Sequence, residues 1–190
     1  MKDKNKTVNF GKNTVLFIIA ILAFSCVFFF NPAISPAQDE TTEIYADKNN
    51  FFIFTPPAGW TKKEMANDTS SQVAFRSSDG KAELAVIAQF NEGESNELFS
   101  QKKSYIKDFQ QRFPNGTFTL TWDRLGERKA IKINFEIPKV IKQEQYFLFE
   151  QGMRFDLIYG VGNSADFKKY RQAALDAFVT VQRQEPVKGK

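Results

Sequence analysis

The segment Gly160–Ala165, with the sequence GVGNSA, has the G-x-G-x-x-A spacing of a dinucleotide-binding turn. Glycines at such positions let backbone amides approach a pyrophosphate at the N-terminus of a helix. A dinucleotide site also needs a second parallel strand, with an acidic residue about 20 residues further on. Here only Val179–Val181 and a polar tail that contains Glu185 remain. We therefore interpret Gly160–Ala165 as a strand-to-helix connection capped by Asn163 or Ser164, and we predict no cofactor.

Residue types restrict the catalytic chemistry further. The chain contains no histidine, and its one cysteine, Cys26, lies in an N-terminal apolar run. This excludes His- and Cys-based catalysis from the rest of the chain, together with the zinc sites built from those ligands. No G-x-S-x-G nucleophile motif occurs either. The sequence therefore predicts no catalytic residue and no metal site, and we expect a protein that is not an enzyme.

Three basic clusters are candidates for a docking surface that binds an acidic partner or anionic lipid headgroups. They consist of Lys62, Lys63, Lys102, Lys103, Lys168, Lys169 and Arg171. The alternative is that each cluster is the solvated face of a helix or strand, and the charge balance favours it. The chain has 26 Lys and Arg against 22 Asp and Glu, and its first 37 residues hold four of these cations and one anion. The remaining 22 cations and 21 anions nearly cancel, which argues against a nucleic-acid partner.

The segment 1–37 has the layout of a secretory signal. Lysines precede the apolar run Val15–Phe30, and the small residues that end at Ala37 suit a cleavage site. The run is slightly shorter than the roughly 20 residues that span a bilayer, so a cleaved signal peptide and a retained signal-anchor both stay open. Either one is expected to export the remainder of the chain to a periplasmic, extracellular or thylakoid-lumen compartment. A retained anchor would also hold it at the membrane.

Cys26 has two interpretations. It could be a lipoprotein acylation site that becomes the mature N-terminus. However, bulky Phe24 stands where a small residue is preferred, and Val27–Phe30 continues the apolar run past the cysteine. We therefore favour an inert thiol within the apolar run, which leaves the exported domain without any disulfide.

The rest of the chain divides into a polar linker at 38–50, a domain at 51–183 and a polar tail at 184–190. Strand-like alternation and helix-like periodicity succeed one another along the domain. Strands are predicted at Phe51–Phe54, Ser71–Ser77, Ala82–Phe90, Phe118–Trp122, Ile131–Ile137 and in the hairpin Gln145–Gly160, and helices at Glu94–Phe113 and Ser164–Phe178. This order predicts an α+β domain whose antiparallel sheet is covered by helices and centred on the hairpin Gln145–Gly160. Trp60, which follows a Pro-Pro turn, is expected in the core.

Two groups of residues resemble the PsbP-like superfamily, which includes the extrinsic photosystem II protein, bacterial DcrB-type proteins and a nuclear branch that binds Ran. The first group is Phe51–Phe54 followed by Pro57-Ala58-Gly59-Trp60, and the second is Tyr146–Leu148, Arg154–Tyr159, Asp166–Tyr170 and Ala177–Phe178. The resemblance covers most of Phe51–Val181 and implies an α/β/α sandwich around an antiparallel sheet. It also implies a binding or assembly protein, since most members are not enzymes. The metal-linked histidines of the plant photosystem protein have no counterpart here.

From this resemblance we expect a non-enzymatic exported domain that binds a protein partner, such as a membrane complex, at a membrane surface. One alternative is an exported small-ligand carrier or enzyme with a pocket between sheet and helix. Another is an extrinsic photosystem II subunit, if the source is photosynthetic.

Overall fold

Antiparallel pairing organises the chain in a computed structural model that describes residues 43–63, 71–90 and 95–184. The described strands are β1 Tyr45–Ala46, β2 Phe52–Phe54, β3 Thr61–Lys63, β4 Ser71–Arg76, β5 Ala82–Phe90, β6 Thr117–Leu125, β7 Arg128–Ile137, β8 Ile141–Glu150, β9 Met153–Val161 and β10 Gln182–Arg183. The described helices are α1 Ser95–Ser100, α2 Lys102–Arg112 and α3 Phe167–Val179, with a 3-10 turn at Ser164–Asp166. These strands form a seven-stranded sheet in the order β3-β4-β5-β9-β8-β7-β6 and a three-stranded sheet in the order β1-β2-β10.

The hairpin of β8 and β9 lies in the middle of the large sheet, which confirms the predicted central hairpin. Its turn residues Gln151 and Gly152 have φ angles of 49° and 75°. Positive φ at both positions is required by a type I′ turn, whose twist matches that of the paired strands. The predicted strands at Ser71–Ser77 and Ala82–Phe90 also form a hairpin, β4 with β5, and Asp79 and Gly80 lie in its turn. The α+β class and the antiparallel sheet are therefore confirmed.

Helix α3 and the small sheet cover one face of the large sheet. Tyr159 of β9 is fully buried there, and its hydroxyl donates a hydrogen bond of 2.7 Å to the carbonyl oxygen of Phe167. Phe52 and Phe54 of β2 are buried against the same face. Burial of an aromatic side chain of this size stabilises the fold by about 1.5–3 kcal/mol. The buried side of α3 consists of apolar residues at helical spacing, namely Phe167, Tyr170, Ala174, Ala177 and Phe178.

Helices α1 and α2 pack on the opposite face, beside β6 and β7. The ring centroid of Phe109 lies 5.1 Å from that of Phe118 and 5.9 Å from that of Phe135. The chain passes close to this cluster at Gly116, where a Cβ would lie only 2.8 Å from Cε1 of Phe109. Helical layers on both faces of the sheet give the α/β/α arrangement that the resemblance implies.

The segment Glu94–Phe113, predicted as one helix, forms two helices that are separated at Gln101. Gln101 has φ and ψ of −85° and 4°, outside the α-helical values. Its side-chain oxygen accepts a hydrogen bond of 3.0 Å from the hydroxyl of Tyr105. The buried residues of α2 are Tyr105 and Phe109, and Ile106 is only partly buried.

The N-terminal side of the domain differs from the prediction in two places. Residues 45 and 46, assigned to the linker, form β1, because Tyr45 has aromatic partners in Phe54 and Phe75 at 5.7 and 5.9 Å. Asp47 is buried as well and accepts backbone hydrogen bonds in the turn that leads to β2. Trp60 is only partly buried, since it packs its edge on Tyr170 of α3 at the border of the core.

Several predictions fall outside the described residues. These are the signal or anchor at 1–37 with Cys26, the first part of the linker up to residue 42, and the tail from residue 185. Within the ranges that the structure does describe, no helix has the length and apolar character needed to cross a membrane.

Candidate functional site

A group of cations and aromatic rings lies where α1 and α2 meet β6 and β7. It consists of Phe99, Lys102, Trp122, Arg124 and Lys129, and we call it the basic-aromatic surface. The rings of Phe99 and Trp122 are stacked, with centroids 5.2 Å apart and planes inclined by 22°. The ammonium group of Lys129 lies 4.0 Å from the centroid of Trp122, and that of Lys102 lies 5.5 Å from the centroid of Phe99. Each ring therefore carries a cation over it, a geometry that stabilises a cation by about 0.5–1 kcal/mol at an exposed site.

The turn between β6 and β7 places two of these cations side by side. Gly126 begins a two-residue turn with φ of 60°, which Leu125 and Arg128 flank as a strand pair. The next pair of the register is Arg124 opposite Lys129, and both side chains are exposed. Like charges directly opposite each other destabilise a sheet. The pairing of Arg124 with Lys129 is therefore unfavourable when only its effect on folding is considered.

Neither cation of this pair is neutralised within the described part of the chain. The guanidinium of Arg124 donates to the carbonyl oxygen of Glu127 at 2.6 Å, and Lys129 contacts the Trp122 ring. No described carboxylate lies within ion-pair distance of Arg124, Lys129 or Lys102, whereas Lys132 on β7 pairs with Asp123 at 3.3 Å. The basic-aromatic surface can therefore bind anionic groups without first giving up an internal ion pair.

The sequence-predicted cations on β3 have separate environments. Lys62 is exposed and lies 5.5 Å from the ring centroid of Tyr45. Lys63 instead pairs with Glu83 at 3.0 Å, and Arg76 donates to the same carboxylate oxygen at 2.6 Å. Burial lowers the pKa of Lys63, and its hydrogen bond to Glu83 opposes that shift. Lys63 thus belongs to an internal charge cluster at the edge of the sheet.

On α3, two of the three predicted cations are also engaged internally. Lys169 pairs with Asp79 of the β4–β5 turn at 3.2 Å, and the hydroxyl of Tyr170 donates to the same carboxylate. Arg171 binds Glu144 of β8 through Nε at 2.6 Å and Nη2 at 2.8 Å. Lys168 is exposed. These residues mainly attach the helix to the sheet and its turn.

The three predicted clusters do not form one continuous surface. β3 is at one edge of the large sheet, whereas α2, which carries Lys102 and Lys103, packs on β6 at the other edge. Helix α3 lies on the opposite face from α2. Of the predicted residues, only Lys102 joins the basic-aromatic surface, with the exposed Lys103 as its neighbour on α2. Docking at the other clusters stays a prediction.

Sequence reasoning missed Trp122, Arg124 and Lys129 as functional candidates. The signal was present, because a Leu-Gly-Glu-Arg turn with its alternating flanks fixes the register that puts Arg124 opposite Lys129. The stacking on Phe99 could not be read from the sequence, since it depends on where α1 packs.

Glu144 forms the most deeply buried charge cluster on the α3 face. Its side chain is 2% exposed and bonds Arg171, Lys132 and the hydroxyl of Tyr146. Burial alone would raise the pKa of Glu144, but hydrogen bonds from Arg171 and Lys132 outweigh it and hold the pKa below the usual range. An ionised Glu144 thus connects α3, β7 and β8 and serves as a structural anchor.

Asp156 is the corresponding buried acid on the other face, in the centre of β9. It is fully buried and pairs with Arg154 at 2.8 Å, while Gln89 donates a hydrogen bond of 3.2 Å. Burial raises the pKa of Asp156, and Arg154 opposes the shift. Gln145 is buried as well, and its amide nitrogen has no hydrogen-bond partner among the described residues.

The glycine segment that resembles a nucleotide turn is built into the sheet. Gly160 and Val161 are the last residues of β9, and both are buried. Asn163, one of the two predicted cap residues, accepts a hydrogen bond of 3.1 Å from the amide of Ala165 and so caps the 3-10 turn that precedes α3. Helix α3 then leads to β10, which pairs antiparallel with β2 of the other sheet. The connection is therefore not the parallel crossover that a dinucleotide site uses.

Two further features bear on enzymatic or ligand chemistry. Among the described residues, no three His, Cys, Asp or Glu side chains converge as a metal site. A shallow surface groove of about 320 Å³ lies at the end of the sheet, lined by Arg128, Glu150, Gln151, Val179, Val181, Gln182 and Arg183. Both cations of this groove form hydrogen bonds within the protein. Arg128 donates to the carbonyl oxygen of Val181 at 2.7 Å, and Arg183 donates to the carbonyl oxygen of Gln151 at 2.8 Å.

The sequence matches no protein-family model and no curated protein. Solved structures do match the fold. Cyanobacterial PsbP (CyanoP) from Synechocystis sp. PCC 6803 aligns with a TM-score of 0.55 and 10% identity over 80% of this chain and 97% of that chain. A mutant of the protein Mog1 aligns with a TM-score of 0.53 and 7% identity, over 76% and 97% of the two chains.

A protein of Bacteroides thetaiotaomicron VPI-5482 also aligns, with a TM-score of 0.53 and 10% identity over 78% of this chain. This chain spans half the length of that protein. At such low identities the similarity concerns the fold. The described domain has a PsbP-like fold.

Proposed function

We propose that this protein is a non-enzymatic, exported binding domain that docks a protein partner at a membrane surface. The observation that supports it is the basic-aromatic surface, in which Arg124 and Lys129 face each other without a described carboxylate partner. Exposed cations beside stacked rings combine the two residue classes, aromatic and Arg, that are enriched at protein interfaces. The partner would bring the compensating negative charge.

The domain shares its fold with cyanobacterial PsbP and with a mutant of Mog1. Export is inferred from the segment 1–37, whose lysines precede the apolar run Val15–Phe30. A retained segment would tether the domain to the membrane through a short linker, which raises the effective concentration of the domain near membrane proteins.

The test is affinity purification of the tagged full chain from membranes of its own source, after mild crosslinking. Wild-type protein should recover a defined membrane protein, and the double charge reversal Arg124→Glu with Lys129→Glu should lose it. Lys168→Glu is the matched control, because Lys168 is exposed and lies on α3. Failure of the wild-type chain to recover any protein would contradict the proposal. Recovery of photosystem II subunits would identify the protein as an extrinsic subunit of that complex.

A small-ligand carrier is the second candidate, and the groove beside Arg128 and Glu150 is the observation that favours it. Thermal melting with a panel of small anions and metabolites separates the two functions. A ligand-dependent rise in melting temperature that the substitution Arg183→Ala abolishes would support the carrier.

A further inference from the structure

The two edge strands of the large sheet differ in a way that bears on the binding mode. The described part of β3, Thr61–Lys63, contains two lysines. Lysine is one of the devices by which natural sheets protect an edge from pairing with another chain. The exposed Lys62 is thus explained as edge protection, whereas Lys63 pairs with Glu83.

The other edge, β6, is nine residues long and contains neither lysine nor proline. Its charged residues, Asp123 and Arg124, both lie near its C-terminal end. Its register with β7 runs without a bulge from Thr117 opposite Glu136 to Leu125 opposite Arg128. Thr117, Thr119 and Thr121 are exposed, so the strand is accessible on the face opposite α2. A long, regular and accessible edge is a template for an additional strand.

Hydrogen-bonding geometry identifies the backbone groups that would be used. In a two-residue hairpin the pair that flanks the turn is hydrogen-bonded, and the pairs alternate from there. Starting from Leu125 and Arg128, the backbone groups of Phe118, Leu120, Trp122 and Arg124 point away from β7. The amide of Arg124 donates a hydrogen bond of 2.8 Å to the Asp123 carboxylate, as expected for a backbone group that points away from β7. The remaining three residues present donors and acceptors along the outer edge.

From these observations we infer that the partner binds by adding an extended acidic segment to β6 as an eighth strand of the sheet. This inference rests on the proposed function and specifies its binding mode. A strand added at the normal spacing of about 4.8 Å carries alternate side chains on the same face as Trp122 and Arg124. Carboxylates at those positions reach Arg124 first, and Lys129 and Lys102 add to the attraction.

Charge decides between this occupant and a second copy of the chain. An antiparallel pair of two β6 strands would bring Arg124 and Lys129 of each copy to the interface and add only Asp123 as a carboxylate on the strand. An acidic segment neutralises the same cations without that repulsion. The charge of the surface therefore favours an acidic partner.

The test uses the full chain in mild detergent and a short blocked peptide of alternating valine and glutamate. Binding is followed by tryptophan fluorescence, which reports Trp122 together with Trp60, and by amide hydrogen exchange. The peptide should bind saturably and protect the amides of Phe118, Leu120 and Trp122. A valine–lysine peptide should not bind. A valine–glutamate peptide with N-methylated backbone amides keeps the charge but cannot form the ladder, so it should bind at least about tenfold more weakly.

Substitutions complete the test. Arg124→Glu should lower the affinity for the valine–glutamate peptide by about tenfold or more, and Lys168→Glu should leave that affinity unchanged. Equal binding of the N-methylated and unmodified peptides would overturn strand addition, as would crosslinks between two copies through β6 or preferential binding of the surface to anionic vesicles. If the valine–glutamate peptide does not bind but a membrane protein still co-purifies in a manner that depends on Arg124 and Lys129, strand addition is overturned. The proposed function then remains intact.

Discussion

Arg171 on α3 and Glu144 on β8 form a bidentate ion pair, with Nε and Nη2 of the arginine 2.6 and 2.8 Å from the two carboxylate oxygens. The carboxylate is almost fully buried, and Lys132 and Tyr146 bind it from the sheet side. The pair fixes the position of the last helix on the central hairpin, so it determines the geometry of the α3 face.

Replacing Glu144 by glutamine should destabilise the protein by about 3 kcal/mol, because Arg171 then loses its carboxylate partner and Lys132 keeps only its pair with Asp123. Denaturant unfolding followed by circular dichroism measures this. The double substitution Glu144→Gln with Arg171→Met should recover part of the loss, since it removes one of the stranded charges. A near-neutral Glu144→Gln variant would contradict the structural role of the cluster.

The same residue predicts a pH dependence. The pKa of Glu144 is lower in the folded than in the unfolded chain, so its stabilisation is complete above the unfolded pKa near 4.5 and is lost as the pH falls through the folded pKa. The difference in unfolding free energy between wild type and Glu144→Gln should therefore be constant near neutral pH and shrink in acid. A difference that stays constant down to pH values well below 4 would be inconsistent with an ionised Glu144.

Gly116 predicts a steric effect. A Cβ there would lie 2.8 and 3.0 Å from two ring atoms of Phe109, and that ring is held between Phe113, Phe118 and Phe135. Gly116→Ala should therefore cost roughly 1–3 kcal/mol of stability. Combining it with Phe109→Leu tests the cause, since the two costs should be less than additive if the ring is the obstacle. Strict additivity would mean that the cost arises elsewhere.

Trp60 predicts a smaller effect than its sequence position suggests. A fully buried tryptophan replaced by alanine costs about 3–5 kcal/mol, but Trp60 is only partly buried and packs its edge on Tyr170. We expect Trp60→Ala to cost roughly 2 kcal/mol, measured by denaturant unfolding. A loss as large as that of Phe178→Ala, whose side chain is fully buried, would show that Trp60 belongs to the core after all.

Local sequence signals were sufficient for most of the fold. The strand at Ile131–Ile137, the two strands on either side of Asp79 and Gly80, and a cap at Asn163 or Ser164 each depend on neighbours in the chain, and each was predicted correctly. Features that depend on distant partners were missed. β1 forms because Tyr45 meets Phe54 and Phe75, and Lys169 is engaged because Asp79, 90 residues away, lies beside it. Neither contact leaves a local pattern.

The candidate site shows the same division. Cations adjacent in sequence, such as Lys168 and Lys169, were predicted as docking residues. In the structure Lys169 instead has an internal partner, Asp79. The pair of Arg124 and Lys129 is separated along the chain by a turn and adjacent across the sheet, and its register could be derived from that turn. The stack of Trp122 on Phe99 required the position of α1.

The most direct test of the docking account is site-specific photo-crosslinking in membranes of the source. A photoreactive phenylalanine is placed at Lys129 in the basic-aromatic surface and, in a second protein, at Lys168 on α3. The account predicts a discrete adduct with another protein from position 129 and none from position 168. An adduct from position 168 alone, or equal adducts from both positions, would contradict it.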